Sequence, residues 1–173
     1  MLALTRVSRQ LAPAMLLGNR PLGLGALIDV YERNYAGLRR LFGHALRQPG
    51  WHVSHSPVNG ELHIEVERRS DFTTVLRMTY LFPDEGDSEA EPDLIVNLYD
   101  DARVAEVVHW SQRYGTCCEA PGGFADCWRR NCVLGKWLQF LTDSHHGPVQ
   151  ARTAGRPPFQ CRELRAVVRE EAA

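Results

Sequence analysis

The sequence has almost no lysine, no excess charge of either sign and no long apolar run. Its 20 basic residues are balanced by 21 acidic residues, so no global field attracts a polyanion. No apolar stretch approaches the roughly 20 residues that a membrane-spanning helix needs. We therefore expect neither a nucleic acid nor a membrane as a partner.

The basic residues are also unusual in kind, because only Lys136 is a lysine and the other nineteen are arginines. Arginine suits phosphate recognition, since its guanidinium group donates two parallel hydrogen bonds to an oxyanion. The arginines are scattered along the chain, however, and do not cluster. That distribution favours a codon bias of the genome over a phosphate site.

The five cysteines are odd in number and irregularly spaced, which does not fit a disulfide framework and favours a reducing cytoplasm. Cys117, Cys118, Cys127 and Cys132, with His109 nearby, raise the question of a zinc site. Zinc sites are normally built from two closely spaced ligand pairs, and this spacing matches none of the familiar forms. We expect no metal and no cofactor, and zinc binding by these four cysteines stays an open alternative.

The chain of 173 residues, 44% of them hydrophobic, is long enough for one core and too short for two ordinary domains. We expect a poorly ordered N-terminal extension over residues 1–22, with Met15 as an alternative start of translation. A single domain is expected over residues 24–147, and a C-terminal tail over 148–173.

Apolar residues recur at spacings of three and four between Leu24 and Ala45, which predicts a helix that ends before Pro49. Asn34 borders this apolar stripe. It is either a satisfied polar residue at the edge of the core or part of a site. A second helix is predicted over residues 125–143, and His145 and His146 after it are expected to satisfy its terminal carbonyl groups.

Between the helices, alternating apolar residues and the turn dipeptide Asn59-Gly60 predict strands and a hairpin. The strands are expected over residues 51–56, 62–66, 73–82 and 94–99; residues 102–110 are read as a strand or a short helix. Six carboxylates within residues 84–93 predict a solvated loop. The fold class is therefore α+β, an antiparallel sheet of about five strands flanked by an N-terminal and a C-terminal helix.

Four segments carry a resemblance to a known family: VYERNYAGLRRLF (30–42), DFTTVLRM (71–78), LIVNLYDDARVAEV (94–107) and NCVLGKWLQFL (131–141). In this order they resemble the YqiB-like family, bacterial proteins of unknown function, over about residues 27–147. The resemblance singles out polar residues as ligand-binding candidates: Glu32, Asn34, Thr74, Tyr99, Asp101, Arg103, Glu106 and Asn131. Asp100 stands where the family usually has a histidine, so a shared catalytic histidine is not expected.

The densest polar group is the turn formed by Tyr99, Asp100, Asp101, Arg103 and Glu106. Its three carboxylates suit a Mg²⁺ ion or a divided acid–base pair, or they are the polar residues of an ordinary turn. The sequence contains no P-loop and no nucleophile elbow. We expect a non-catalytic ligand-binding or accessory protein whose partner is an unknown small molecule or protein, or alternatively a metal-assisted hydrolase acting on nucleotides; whether the protein is an enzyme stays open.

Overall fold

The computed structural model describes residues 23–43, 45–57, 60–83, 88–111, 118–119, 123–146 and 150–151. The predicted N-terminal extension, the Asn59 turn position and the tail beyond residue 151 lie outside these residues. So do Cys117 and the first four residues of the acidic stretch.

One antiparallel sheet forms the body of the fold. Its long strands follow one another as a meander, and a two-residue strand pairs at each edge, in the order β6-β5-β4-β3-β2-β1-β7. The strands are β1 Gly50–Ser56, β2 Gly60–Arg69, β3 Thr73–Pro83, β4 Ser88–Tyr99, β5 Val104–Ser111, β6 Cys118–Glu119 and β7 Gln150–Ala151. Residues 104–111 are a strand, not a helix.

Two helices pack against each other and against β5. They are α1 Leu24–Phe42 and α2 Phe124–Asp143, and a 3₁₀ turn, Ala45–Arg47, follows α1. The predicted α+β class with an N-terminal and a C-terminal helix is therefore confirmed. Among the described residues, no helix is both long enough and apolar enough to cross a bilayer.

The core lies between the helices and the alternate residues of the sheet that face them. Leu62, Leu76 and Leu94 are fully buried there, on three neighbouring strands. Trp137 and Leu134 of α2 pack onto them from the helical side. Apolar residues that alternate along the strands thus pack against apolar residues that recur every three or four positions along the helices, and together they form one core.

The buried face of α1 is rotated from the predicted stripe. Leu24 and Ile28 are exposed, at 68% and 43%, whereas Val30 and Asn34 are buried. The reason is that α1 contacts α2 and β5 at the same time. The residues of α1 that face both neighbours are buried, and they recur at the alternating spacings of three and four that packed helices use. Asn34 therefore lies in the middle of the buried face and not at its border.

The acidic stretch was wrongly predicted to be a loop over its second part. Strand β4 begins at Ser88 and pairs with the end of β3. Asp93 is only 4% exposed, and the Arg77 guanidinium donates two hydrogen bonds to it, at 2.7 and 2.6 Å. A buried arginine on the neighbouring strand thus supplies the counter-charge that the composition of the stretch alone did not reveal.

Strand β5 contains a bulge at Val108. Ile95 pairs with His109 and Val96 pairs with Val107, so one extra residue lies between them. The extra residue shifts the alternation and allows Trp110 to reach the core. The bulge lies next to the place where both helices meet the strand.

Candidate functional site

Five polar side chains from three elements meet where α1, α2 and the bulged part of β5 come together. We call this set the helix–strand corner: Tyr31 and Asn34 of α1, Glu106 of β5, and Arg130 and Asn131 of α2. Three of its members, Asn34, Glu106 and Asn131, were predicted as ligand-binding candidates.

Asn131 joins α2 to the sheet. Its Oδ1 accepts a hydrogen bond from the Val107 backbone N–H at 3.0 Å, and its Nδ2 donates to the Cys127 carbonyl at 2.9 Å. The side chain is fully buried. An amide suits this position because it offers an acceptor and a donor at once, and each satisfies a backbone group that would otherwise be unpaired.

Asn34 links the two helices. Its Nδ2 donates to the backbone carbonyl of Asn131 at 3.0 Å. The approach is close because glycines line it: a Cβ on Gly135 would lie 3.1 Å from the Asn34 Oδ1, and one on Gly37 would lie 3.1 Å from Leu138. Asn34 is thus a satisfied polar residue inside the helix interface, and it holds the backbone from which Asn131 projects.

Arg130 is the charged member of the helix–strand corner that is completely buried, at 0% exposure. Its Nε donates to the Val107 carbonyl at 3.1 Å, and its Nη2 lies 3.4 Å from the Cys127 thiol sulfur. Its Nη1 has no hydrogen-bond partner among the described residues. No ion pair joins Arg130 to a carboxylate within that part of the chain.

Tyr31 and Glu106 lie beside Arg130 and are only half-buried. The Tyr31 hydroxyl donates to Glu106 Oε1 at 3.3 Å. Burial raises the pKa of the Tyr31 phenol, the negative charge of Glu106 raises it further, and the positive charge of Arg130 opposes the rise. The hydroxyl therefore keeps its proton at neutral pH and is available as a donor.

One helical turn further along α1, a second tyrosine meets a second carboxylate. The Tyr35 hydroxyl donates to Asp100 Oδ1 at 2.8 Å. Burial raises the pKa of Tyr35, as does its hydrogen bond with Asp100, while the charges of Arg39 and Arg103 lower it. Asp100 thus anchors the β4–β5 turn to α1.

The remaining predicted site residues do not join the helix–strand corner. Glu32 is exposed on α1, and Asp101 and Arg103 are exposed at the β4–β5 turn, where Arg103 has a φ of 54°. Thr74 is buried on β3. The Tyr99 hydroxyl accepts a hydrogen bond from Asn97 on the same strand at 3.2 Å.

The turn does not assemble a metal centre from its described side chains. Glu106 is engaged by Tyr31 and Asp100 by Tyr35, on successive turns of α1. Among the described residues, no group of three or more histidine, cysteine or acidic side chains could hold a metal ion. Cys127 and Cys132 are half-buried on α2, and the zinc hypothesis depended also on Cys117, which lies outside the described part of the chain.

A separate polar network lies at the C-terminal end of α2. His146 is buried, and its ring shares hydrogen bonds with Ser54 at 3.1 Å and with the Tyr80 hydroxyl. The His146 backbone N–H donates to the Leu141 carbonyl, and that of His145 to the Thr142 carbonyl. The prediction that these histidines satisfy terminal carbonyls thus holds for their backbones, whereas the His146 ring ties the end of the helix to β1 and β3.

Sequence reasoning missed Tyr31 and Arg130 as site residues, although a signal for each was present. Tyr31 was read only as part of the apolar stripe of α1. Arg130 precedes Leu134, Trp137 and Leu141 at spacings of four, three and four, which is the phase of the buried face of α2. A charged residue at a position that falls on the buried face of a helix indicates a buried charge.

The fold and this site define a class: an antiparallel meander covered by two helices, with a polar corner between the helices and an edge-proximal strand. The chain matches the family of proteins of unknown function DUF1249 over residues 37–147, which is more than half of its length, and it belongs to that family. Neither a curated protein nor a solved structure matches the chain.

Proposed function

We propose that this member of the DUF1249 family is a non-catalytic ligand-binding protein, a YqiB-like protein of bacterial origin that acts in the cytoplasm. Its proposed site is the helix–strand corner. The observation that supports the site is that Asn34, Glu106 and Asn131, which lie far apart in the sequence, come together where the two helices meet β5. Beside them lies the buried Arg130, whose Nη1 has no hydrogen-bond partner among the described residues.

A binding role fits the chemistry of the corner better than catalysis does. The two asparagines are committed to backbone groups, so they position the site and do not react. The groups left to meet a ligand are the Tyr31 hydroxyl, the Glu106 carboxylate and the Arg130 guanidinium. These groups donate or accept hydrogen bonds, and nothing in the set is arranged as a nucleophile with its base.

The alternative of a metal-assisted nucleotide hydrolase required Asp100, Asp101 and Glu106 to share one ion. Asp100 and Glu106 are bound to different tyrosines and Asp101 is exposed. No observation on the described residues favours that alternative, and we do not propose it.

The test is titration of the ¹⁵N-labelled protein with one neutral, one cationic and one anionic probe: glucose, spermidine and adenosine 5′-monophosphate. We expect at least one probe to shift the Val107 amide signal in a saturable way, because that amide is bound to Asn131 inside the corner. If all three probes leave the signals of Val107 and of the Asn131 side chain unchanged, the corner is not a ligand site and the proposal falls.

A matched pair of variants controls the titration. Glu106→Gln alters a carboxylate of the corner without changing its shape, and we expect it to change the affinity of the responding probe. Asp101→Asn makes a similar isosteric change at an exposed carboxylate of the neighbouring turn. The affinity of this variant should equal that of the wild type.

A further inference from the structure

We propose that Arg130 is the receptor for an oxyanion, a carboxylate or phosphate group of the ligand, which it binds through its Nη1 and Nη2 atoms. This inference rests on the proposed function and names the chemical class of the ligand. It is carried by a charge that is fully buried and that the described chain leaves without a counter-ion.

The guanidinium group of Arg130 carries a permanent positive charge. Arginine stays protonated under all conditions in which proteins fold, so Arg130 cannot avoid its burial by becoming neutral. A buried cation is normally paired with an anion. The groups that Arg130 contacts directly are a backbone carbonyl and a thiol, and neither supplies a full negative charge. The Glu106 carboxylate lies nearby and accepts a hydrogen bond from Tyr31, but among the described residues it forms no ion pair with Arg130.

The hydrogen-bond pattern indicates which edge of the guanidinium is available. The Nε atom is occupied by the Val107 carbonyl at 3.1 Å, which fixes the orientation of the plane. Nη2 faces only the Cys127 sulfur, a weak acceptor, and Nη1 faces no acceptor among the described residues. The end-on edge formed by Nη1 and Nη2 is thus the free one, and two parallel donors match the two oxygens of a carboxylate or phosphate.

Two neighbouring side chains suggest how the anion is admitted. Tyr31 and Glu106 are half-buried, whereas Arg130 is fully buried, so solvent reaches these two neighbours and does not reach the guanidinium. Their mutual hydrogen bond is long, at 3.3 Å, and hence weak. When it opens, the Tyr31 hydroxyl becomes a third donor for the incoming oxyanion, and Glu106 must move away because its charge repels that anion.

The experiment measures thermal melts of the full chain in sodium phosphate, in sodium acetate and in sodium chloride at matched ionic strength. The wild type, Arg130→Met and Arg129→Met are compared. Arg129 is the adjacent arginine of α2, is half-exposed and pairs with Asp126 on the surface, so its variant controls for the loss of one positive charge.

For the wild type we expect phosphate or acetate to raise Tm above the chloride value by at least about 2 °C, because a ligand that binds only the folded state stabilises it. Arg129→Met should keep this increment and Arg130→Met should lose it. A response to phosphate alone assigns a phosphate ligand, and a response to acetate alone assigns a carboxylate. An increment that survives in Arg130→Met, or none in the wild type, overturns the proposal.

A measurement on the wild type alone covers the case in which Arg130→Met does not fold. In a ¹⁵N spectrum of the arginine side chains, the Nε–Hε signal in contact with Val107 should shift on titration with phosphate or acetate and saturate. If that signal is unaffected, the oxyanion class is wrong. The broader binding function then stands or falls separately, on whether glucose or spermidine shifts the Val107 amide.

Discussion

Two arginines of this protein are buried almost equally, yet their surroundings differ. Arg77, on β3, is 6% exposed and donates to both oxygens of Asp93 on the neighbouring strand. Arg130, on α2, is 0% exposed and has a carbonyl and a thiol as its partners. Within the part of the chain that the structure describes, Arg77 has a carboxylate counter-ion and Arg130 has none at ion-pair distance.

The comparison separates a structural charge from one that is available for function. Arg77 and Asp93 neutralise each other, and the charge of either would be left buried if the other were removed. Arg130 is already in that condition. A fold tolerates a buried charge without a counter-ion when other interactions offset its cost in free energy. Such charges are found preferentially at functional sites.

We expect the largest change in the free energy of unfolding when Arg77 loses its counter-ion, Asp93. Asp93→Asn keeps the shape of the side chain and removes its charge, so the Arg77 guanidinium stays buried without a full partner. We expect the free energy of unfolding, measured by urea titration, to fall by about 3–5 kcal/mol. Asp126→Asn, which breaks the exposed pair with Arg129, should change it by less than about 1 kcal/mol.

Unlike the two arginines, the buried His146 can avoid the cost of burying a charge by losing its proton. Burial and, to a smaller extent, the charge of His55 lower the pKa of His146 from the ordinary 6.5 to about 4. Above pH 6.5 the ring is neutral in both states. Below it the unfolded chain takes up a proton that the folded protein does not, so stability should fall by about 3 kcal/mol between pH 6.5 and pH 4.

Urea titrations of two variants over this pH range test the assignment. In His146→Gln, most of the fall in the free energy of unfolding between pH 6.5 and pH 4 should disappear. His145→Asn should retain it, because His145 is exposed and its φ of 58° suits asparagine. Equal slopes in the wild type and in His146→Gln would show that another group is responsible.

A smaller effect is expected where a neutral side chain satisfies the backbone beside Arg130. Asn131→Ala leaves the Val107 N–H and the Cys127 carbonyl without their side-chain partner. We expect it to reduce the free energy of unfolding by about 1–3 kcal/mol. Asn97→Ala removes a half-buried hydrogen bond within one strand, and its loss should be smaller; a larger loss there would contradict the role given to Asn131.

The sequence was sufficient for the fold class because its two periodicities are clear. Leu62, Ile64 and Val66 alternate as a strand does, and Leu134, Trp137 and Leu141 recur as a helix does. The beginning of β4 was missed because the acidic residues of that stretch indicate a loop, and only the position of Arg77 on the neighbouring strand explains why Asp93 can be buried. Pairing across a sheet is not visible in a local pattern.

The site was predictable only in part, for a similar reason. Asn34, Glu106 and Asn131 were singled out, but their meeting depends on how α1 and α2 cross and on the bulge at Val108. The turn around Asp101 was the densest polar segment in the sequence. It lies at an exposed end of the sheet. Residues that are neighbours along a turn need not point toward the same place, so a dense polar segment in the sequence does not by itself indicate a site.

Arg130 is fully buried and has no ion-pair partner among the described residues. The most direct test compares the free energy of unfolding of Arg130→Met with that of the wild type by urea titration in a buffer free of phosphate and carboxylates. Because the variant removes an unpaired charge and retains an apolar side chain of similar length, we predict a change of less than about 1 kcal/mol, or a gain. A loss of about 3 kcal/mol or more, like that expected for Asp93→Asn, would contradict the account and show that Arg130 is a structural residue.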